Sequence, residues 1–405
     1  MSSPATPTVS SLKIDPFSGG SKWLMLGGVG AVLTVITALV AIFTGSRDAY
    51  YSYLTAFAYW AGIGFASVLL LMIFHATHAR WMTILRRPVE AMASAMWIFV
   101  ILVIPIWIGM KEIYTWVEPA AAGFSKEALA KIAHKAPYLN VKFFIVRSIL
   151  FIVFSWLVAR RLYGLSRRQD KEGGTDLLSR QRRMSAGLLP FVSLAITFAG
   201  FDWLMSLNPT WYSTIFGVYY FAGSFVSALS ILAIVTWHGN RKNVFGGGMN
   251  IEHTHSIGKL MLAFICFWTY IAFSQLLLIW IAGLPEETPF YITRFKDGWW
   301  QLGVFLIFGH FFFPFGLLLS RSLKRNPQRL AGAAFWILLI HYIDIYWLVM
   351  PTLYPDGISV HWSQPVAFIG IGLVSIATAI WALRGRMPVP MRDPYLAESL
   401  RYRQP

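Results

Sequence analysis

The chain has 405 residues, of which 57% are hydrophobic and only 13% are charged. Soluble domains carry about 25% charged residues, so this composition excludes a water-soluble globular domain. The net charge of +16 resides in short connections between apolar runs, which is typical of membrane proteins and gives no sign of a nucleic-acid partner. With a single cysteine, Cys266, the chain has no internal disulfide, no cysteine-ligated iron–sulfur cluster and no covalent haem site.

Ten apolar runs are long enough to cross about 30 Å of hydrocarbon as helices. They occupy residues 23–44, 50–74, 91–110, 143–159, 184–205, 213–237, 260–282, 299–320, 331–350 and 364–383. The runs are apolar all round, whereas barrel strands would alternate polar and apolar residues. The sequence therefore predicts an all-α integral membrane protein with about ten transmembrane helices.

The basic residues predict the orientation of these helices. Of the 34 Lys and Arg residues, 25 fall in the segments that lie on the N-terminal side, which are 1–22, 75–90, 160–183, 238–259, 321–330 and 384–405. Because positive charge accumulates in cytoplasmic connections, we expect both termini and the basic loop 160–183 in the cytoplasm of a bacterial cell, with the chain in the inner membrane. In the opposite connection, 111–142, helical spacing indicates a short interfacial helix, although a capping loop fits equally well.

A short internal repeat suggests how the helices are grouped. YSYLTAFAYWAG at 51–62 matches YSTIFGVYYFAG at 212–223 in five positions, and both segments open a span of the same direction. Parallel repeats are a known membrane architecture. We therefore expect two four-helix bundles, spans 2–5 and 6–9. The corresponding domain bounds are 1–22 (N-terminal tail), 23–49 (peripheral span 1), 50–205 (first bundle), 206–350 (second bundle), 351–383 (peripheral span 10) and 384–405 (C-terminal tail).

Two ionisable residues lie near the outer ends of consecutive spans. Arg147 is about 6 Å inside the fourth span, and Asp202 is three residues from the end of the fifth. An ionisable group in hydrocarbon is costly and is a functional hypothesis by default. These two side chains are predicted to pair, either as part of a functional site such as a proton path or as a structural ion pair, and snorkelling to the interface is a further alternative.

A second polar group is predicted in the later spans. His341 and Asp344 are three residues apart on one face of span 9, and His310 on span 8 lies at a similar depth. Three interpretations are open, namely a proton relay, a bis-histidine haem site and interhelical hydrogen bonding. Gln275, in the outer part of span 7, is a further candidate for the same path.

The inner end of span 2 carries a third group of titratable residues. His75 and His78 precede a run of charged residues, which are Arg80, Arg86, Arg87 and Glu90. The favoured interpretation is an interfacial cluster that faces lipid headgroups, and the alternative is a cytoplasmic proton entrance at His75. His253 and His255 have no further ligand near them in sequence, so no zinc site is expected.

Three stretches carry a family resemblance. They are GFDWLMSLNPTWYSTIFGVYYFAG (200–223), FSQLLLIWIAGLPEETPFYITR (273–294) and RQRRMSAGLLP (180–190). Together they resemble a membrane subunit of bacterial alternative complex III, a quinol:electron-acceptor oxidoreductase with two membrane subunits similar to that of polysulfide reductase. In length and span number, the chain resembles the smaller, F-type subunit.

The resemblance implies partners and a function. The partners would be a multihaem cytochrome c, an iron–sulfur protein, a sister quinol-binding membrane subunit and small membrane subunits. Haem c and the iron–sulfur clusters would belong to these partners, quinol (menaquinol or ubiquinol) would be oxidised mainly in the sister subunit, and this chain would bind no cofactor of its own. It would contribute scaffold and a candidate proton path. Arg147 and Asp202 lie in the bundle and leaflet comparable to those of the sister subunit's quinol pocket, so the resemblance makes them candidates for quinol binding. Without the resemblance, the buried polar residues would equally fit a stand-alone secondary transporter or ion channel.

Overall fold

In a computed structural model, residues 8–404 are described, and all regular structure within that range is helical. Ten helices are long and apolar enough to cross a membrane, which confirms the all-α membrane fold. They are α1 (Ser21–Thr44), α2 (Arg47–Ala76), α3 (Arg80–Ile108), α4 (Val141–Glu172), α5 (Asp176–Leu207), α6 (Phe216–Arg241), α7 (Ile251–Ala282), α8 (Trp299–Leu319), α9 (Pro327–Thr352) and α10 (Ser363–Leu383).

Several of these spans are not uniform α-helices. Helix α3 contains 3-10 turns at Arg80–Leu85 and Ala95–Ile98, and α8 contains a π-helical segment at Ile307–Phe312. Helices α5 and α9 end in 3-10 turns at Met205–Leu207 and Met350–Thr352. Short helices outside the spans are Val9–Ser11, Met110–Ile113, Lys126–Lys135, Pro289–Arg294, Arg321–Lys324 and Leu396–Leu400. The helix expected in the 111–142 connection is thus present.

The segment 160–183, which the sequence predicted to be a loop, is almost entirely helical. Helix α4 continues to Glu172 and α5 begins at Asp176, so each helix extends well beyond its apolar run. Arg and Gln are good helix formers, and Arg168 pairs with Glu172 one turn later at 3.0 Å. The turn forms at Gly173 and Gly174, which both have positive φ angles of 71° and 76°.

Successive spans run in opposite directions, so their ends divide between two faces. We call one face the terminal face, because the first span begins and the last span ends on it; its span ends are Ser21, Ala76, Arg80, Glu172, Asp176, Arg241, Ile251, Leu319, Pro327 and Leu383. The opposite face is the distal face. The C-terminal segment is packed on the terminal face, where Leu396–Leu400 lies against Arg80–Leu85.

The packing agrees with two four-helix bundles. Helices α2–α5 contact one another in a ring, and α6–α9 form the second group. Helices α2 and α6 are the most buried spans because they pack against each other between the two bundles. The peripheral helix α1 packs mainly on α10, where Gly30 approaches the Gly370 carbonyl closely, and α10 in turn covers α2 and α3.

Two tyrosines and one glycine of the internal repeat lie at the contact between the bundles. Tyr220 donates to the Ala58 carbonyl at 2.5 Å, and Tyr59 donates to the Leu338 carbonyl at 3.0 Å. A Cβ at Gly62 would meet the Ser224 hydroxyl at 2.4 Å. The repeat therefore provides small residues and tyrosine hydroxyls that let α2, α6 and α9 approach closely, as is common between membrane helices.

Candidate functional site

The second bundle encloses a buried polar group that begins with a distortion in α8. His310 lies in the π-helical segment Ile307–Phe312. Pro314, four residues later, has no N–H to donate to the His310 carbonyl, so the regular helical hydrogen bond cannot form there. Such π-helical segments are frequent at functional sites because they re-aim a side chain inward. The His310 side chain is buried, with its ring 5.9 Å from that of His341.

His341 and Asp344 lie on the inner face of α9, as the sequence predicted. Nδ1 of His341 is 3.4 Å from Oδ2 of Asp344. The other carboxylate oxygen of Asp344 accepts a very short hydrogen bond from the Tyr219 hydroxyl of α6. A Cβ at Gly223 would lie 2.5 Å from the His341 ring, so this glycine of α6 provides the space that the imidazole occupies.

Aromatic rings enclose the two histidines. The Trp268 ring of α7 lies 3.8 Å from the His310 ring centre, and the Tyr59 ring of α2 lies 5.4 Å from that of His341. We call Tyr219, His310, His341 and Asp344 the polar core cluster; all four are buried. Helices α6, α8 and α9 thus contribute the four residues of the cluster, and rings from α7 and α2 pack against them.

The polar core cluster holds more polar atoms than it satisfies. Within residues 8–404, both ring nitrogens of His310 and Nε2 of His341 are buried without a hydrogen-bond or ion-pair partner, while Nδ1 of His341 and Oδ2 of Asp344 have only each other, at 3.4 Å. Leaving a buried polar group unpaired costs about 1–3 kcal/mol, so these ring nitrogens are costly to keep in the interior of a membrane protein. Imidazole and carboxylate are both able to take up and release protons, so the cluster suits proton exchange with water or a polar ligand.

Two other candidates for the proton path lie apart from the cluster. Gln275 is buried on α7, two helical turns beyond Trp268 and hence about 10 Å nearer the distal face, and its Oε1 has no partner among the described residues. His75 lies at the terminal end of α2, sixteen residues and so about 24 Å along the helix from Tyr59. Its Nδ1 is 3.2 Å from the Ser185 hydroxyl.

Arg147 and Asp202 form the pair that their positions predicted, in the distal part of the first bundle. Arg147 Nε is 2.8 Å from Asp202 Oδ2, and its Nη2 is 3.0 Å from Oδ1. The third donor, Nη1, binds the Tyr138 carbonyl at 2.8 Å, and the guanidinium stacks 3.7 Å above the Tyr138 ring. Both carboxylate oxygens are therefore engaged, and a quinol hydroxyl would have to displace one of these contacts.

One buried cation was not singled out from the sequence. Arg294 ends the short helix Pro289–Arg294, and its guanidinium donates to the carbonyls of Trp347 at 3.2 Å, Phe290 at 2.8 Å and Leu348 at 2.7 Å. No carboxylate lies within 4 Å of it in the described chain. Burial lowers the pKa of Arg294 to about 9, so the guanidinium stays charged at neutral pH.

Arg294 compensates the carbonyl end of α9. Two of its partners are in the last turns of α9, where the helix dipole places partial negative charge. Leu348 is one turn beyond Asp344, so a fixed positive charge stands about 6 Å distal to the polar core cluster. The only hint in the sequence is that this arginine follows the aromatic residues Phe290 and Tyr291 in a short connection.

Replacing Arg294 by Met is expected to lower the free energy of unfolding by about 3 kcal/mol or more, because it leaves three buried carbonyls unpaired at about 1–3 kcal/mol each. Lys should restore little, since one ammonium cannot match the planar arrangement of the guanidinium. The measurement is thermal or denaturant unfolding of the purified protein in detergent. Lys296→Met, at an exposed position, is the matched control and should leave stability unchanged. Equal stability of Arg294→Met and Lys296→Met would show that Arg294 does not stabilise the end of α9.

The charged residues after His78 are not a lipid-facing cluster, which corrects the prediction. Arg86, Arg87 and Glu90 are buried, because α3 enters the first bundle at Arg86. Glu90 is 2.8 Å from Arg87 Nη1 and 3.3 Å from Arg86 Nε, and Asp170 and Asp393 complete the network. Only His78 and Arg80 are exposed. The sequence prediction assigned all of these charged residues to the connection between two apolar spans. It therefore did not foresee that pairing of the opposite charges allows them to be buried.

His253 and His255 also have a structural setting. His253 caps the start of α7 together with Asn250 and faces the Ser399 hydroxyl at 3.4 Å, which helps to anchor the C-terminal segment. Across residues 8–404, no group of three or more His, Cys, Asp or Glu side chains is arranged to hold a metal ion. No protein-family model matches this chain, and no curated protein matches it either.

Proposed function

We propose that this chain is an integral membrane subunit of a quinol:electron-acceptor oxidoreductase, in which the polar core cluster exchanges protons. The observation that carries the proposal is the group of three buried ring nitrogens of His310 and His341 that lack a partner, beside the contact between His341 and Asp344. Within a membrane such atoms are expensive, and they are retained where ions or protons pass. A purely structural group would be expected to satisfy its own hydrogen bonds.

The geometry supports a path of proton-carrying groups through the second bundle. Asp344 is bonded to Tyr219 and lies 3.4 Å from His341, whose ring lies 5.9 Å from that of His310. A water molecule between the two imidazoles would bring each step to hydrogen-bonding distance. Gln275 is positioned to extend the path toward the distal face, and Arg294 holds a positive charge at that end. Histidine suits such a relay because one ring nitrogen can accept a proton while the other donates one.

The identity of the complex rests on the sequence resemblance to the F-type subunit of alternative complex III. On that basis the partners are a multihaem cytochrome c, an iron–sulfur protein, a sister quinol-binding subunit and small membrane subunits. Haem c and iron–sulfur clusters belong to the partners, and the complex takes menaquinol or ubiquinol. This chain supplies scaffold and the candidate proton path, in the inner membrane of a bacterial cell with both termini cytoplasmic.

Purification from the native membrane tests this function against its alternative. An affinity-tagged chain should copurify with haem-containing and iron–sulfur proteins in fixed stoichiometry, and the preparation should oxidise a short-chain quinol with a cytochrome as acceptor. A stand-alone secondary transporter or ion channel, which the same buried polar residues would fit, should purify without redox partners and without this activity. Isolation of the chain alone under mild detergent conditions would therefore refute the proposal.

The proposed orientation predicts which face is accessible from outside the cell. In a chain whose Cys266 is replaced by Ser, a cysteine at the exposed Arg167 on the terminal face should resist an impermeant thiol reagent in intact cells and react after lysis. A cysteine at the exposed Lys126 on the distal face is the control and should react in intact cells. Ser166 is unsuitable because it is buried. Labelling of Arg167→Cys from outside would invert the orientation.

We also expect that the two core histidines bind no haem. Trp268 and Tyr59 lie against the two imidazoles, and Asp344 lies beside His341, so the space around the rings is filled where a porphyrin would extend. Replacing His310 and His341 together by Ala should leave the haem content per complex unchanged in pyridine-haemochrome spectra. Loss of one b-type haem per complex would show that these histidines are axial ligands instead.

A further inference from the structure

A cavity of about 390 Å³ opens on the terminal face of the first bundle. It lies between the end of α2, the start of α3 and the first turns of α5, with Tyr395 of the C-terminal segment at its rim. Its titratable side chains are Arg80, Arg86, Arg182, Arg183, His75 and His78, and its lining contains no Asp or Glu. The volume is within the range of small-molecule sites. Arg80 is paired with Glu398, and Arg86 with Glu90 and Asp393, so the uncompensated positive charge of the cavity comes from Arg182 and Arg183.

Buried polar atoms in this cavity lack partners. Arg86 is 7% exposed; its Nη1 is 2.5 Å from Asp393 Oδ2, but its Nη2 is buried and has no hydrogen-bond partner within residues 8–404. The same holds for Nε2 of His75. Unsatisfied buried donors are costly and call for a partner that the protein itself does not supply. A guanidinium N–H is suited to an anionic oxygen.

The rest of the cavity adds positive potential. Arg182 and Arg183 are exposed and have no carboxylate within 4 Å in the described part of the chain. Helix α5 begins at Asp176, six residues before Arg182, and Thr175 provides no side-chain cap for its first amides. Partial burial and the guanidinium groups of Arg182 and Arg80 hold the pKa of His78 below its ordinary value. All of these features favour an anion over a neutral ligand.

We propose that this cavity binds a phosphate group, either of an anionic phospholipid or of free inorganic phosphate. Arginine donors match the oxygens of a phosphate in geometry and charge, and basic pockets between membrane helices bind lipid headgroups. The surface next to the cavity suits the lipid source. Phe191 and Leu194 are exposed on α5 eight and eleven residues after Arg183, so they continue the same helix face as an apolar track for an acyl chain. This site is independent of the proposed redox role.

The proposal is tested on the full chain, purified and delipidated in detergent, by native mass spectrometry with phosphatidylglycerol and with phosphatidylcholine. We expect preferential retention of phosphatidylglycerol. The double variant R182Q/R183Q should bind it about tenfold more weakly or worse, since each basic residue near an anionic surface contributes roughly a factor of five. R321Q/R329Q removes the same charge from exposed arginines elsewhere on the terminal face and should bind as the wild type does.

A second variant tests whether binding needs the volume of the cavity in addition to its charge. Phe at Ser179, an exposed lining residue, fills the space while keeping every arginine, and it should also abolish retention. Inorganic phosphate at millimolar concentration distinguishes the two sources of the phosphate group. If it raises the melting temperature of the lipid-free protein but not that of S179F, the ligand is free phosphate. If phosphatidylglycerol is retained and inorganic phosphate has no effect on the melting temperature, the ligand is the lipid headgroup. Equal binding of both lipids together with no phosphate effect, or equal loss in R182Q/R183Q and R321Q/R329Q, would overturn the proposal.

Discussion

Asp344→Asn is expected to reduce proton transfer through the second bundle by about a hundredfold, which is the lower end of what a positioned proton-transfer group contributes. The substitution keeps the shape of the side chain and its ability to accept the hydrogen bond from Tyr219. An amide cannot release and recover a proton, however, so the link between Asp344 and His341 would be lost. Assembly and haem content of the complex should remain normal because no packing contact changes.

The measurement is the proton-to-electron ratio of the purified complex in sealed vesicles. We expect coupled turnover to fall with the ratio, while quinol oxidation in uncoupled vesicles is less affected. Asp48→Asn is a matched control, because Asp48 also accepts a hydrogen bond from a tyrosine, Tyr354, but lies at the distal end of α2 outside the second bundle. If Asp344→Asn matches the wild type in both ratio and rate, Asp344 is only a structural hydrogen-bonding residue and the relay is wrong.

The second large effect is expected at the Arg147–Asp202 pair. Replacing Asp202 by Leu leaves a buried guanidinium without its counter-charge, and replacing Arg147 by Met leaves a buried carboxylate. Each single change should lower the free energy of unfolding by about 3–5 kcal/mol. The double variant R147M/D202L should lose much less, because a buried ion pair replaced by apolar residues of similar volume no longer pays the cost of desolvation.

Denaturant unfolding in detergent measures the stability of the three variants, and quinol oxidation by the assembled complex measures function. A stable double variant with normal activity would mean that the pair is structural. A stable double variant that is inactive would mean that the charges take part in quinol or proton chemistry. The exposed Arg168–Glu172 pair of α4 is the control, and its removal should not change stability measurably. Single variants as stable as the wild type would contradict the importance of burial at this site.

The sequence alone was enough for the features that depend on local hydrophobicity and helical spacing. All ten spans were predicted because a membrane-crossing helix must be apolar over about 20 consecutive residues, whatever its neighbours are. The pairing of His341 with Asp344 followed from their separation by three residues on one helix. The Arg147–Asp202 pair followed from matched depth on consecutive antiparallel spans. The length of the polar helical extensions, as in 160–183, could not be predicted from hydropathy, which falls to low values there although the backbone remains helical.

The tertiary structure decided which polar residues are buried and what they contact. Tyr219 and Trp268 join the histidines because α6 and α7 turn those faces toward α8 and α9, and no spacing along one helix encodes that rotation. Arg294 is buried because a connecting helix folds over the carbonyl end of α9, although its sequence position is that of an ordinary loop residue. Arg86 and Glu90 are buried because opposite charges from α3, α4 and the C-terminal segment meet there. In each case the free energy of a charge or a polar atom depends on partners distant in sequence, and only the folded chain brings those partners within reach.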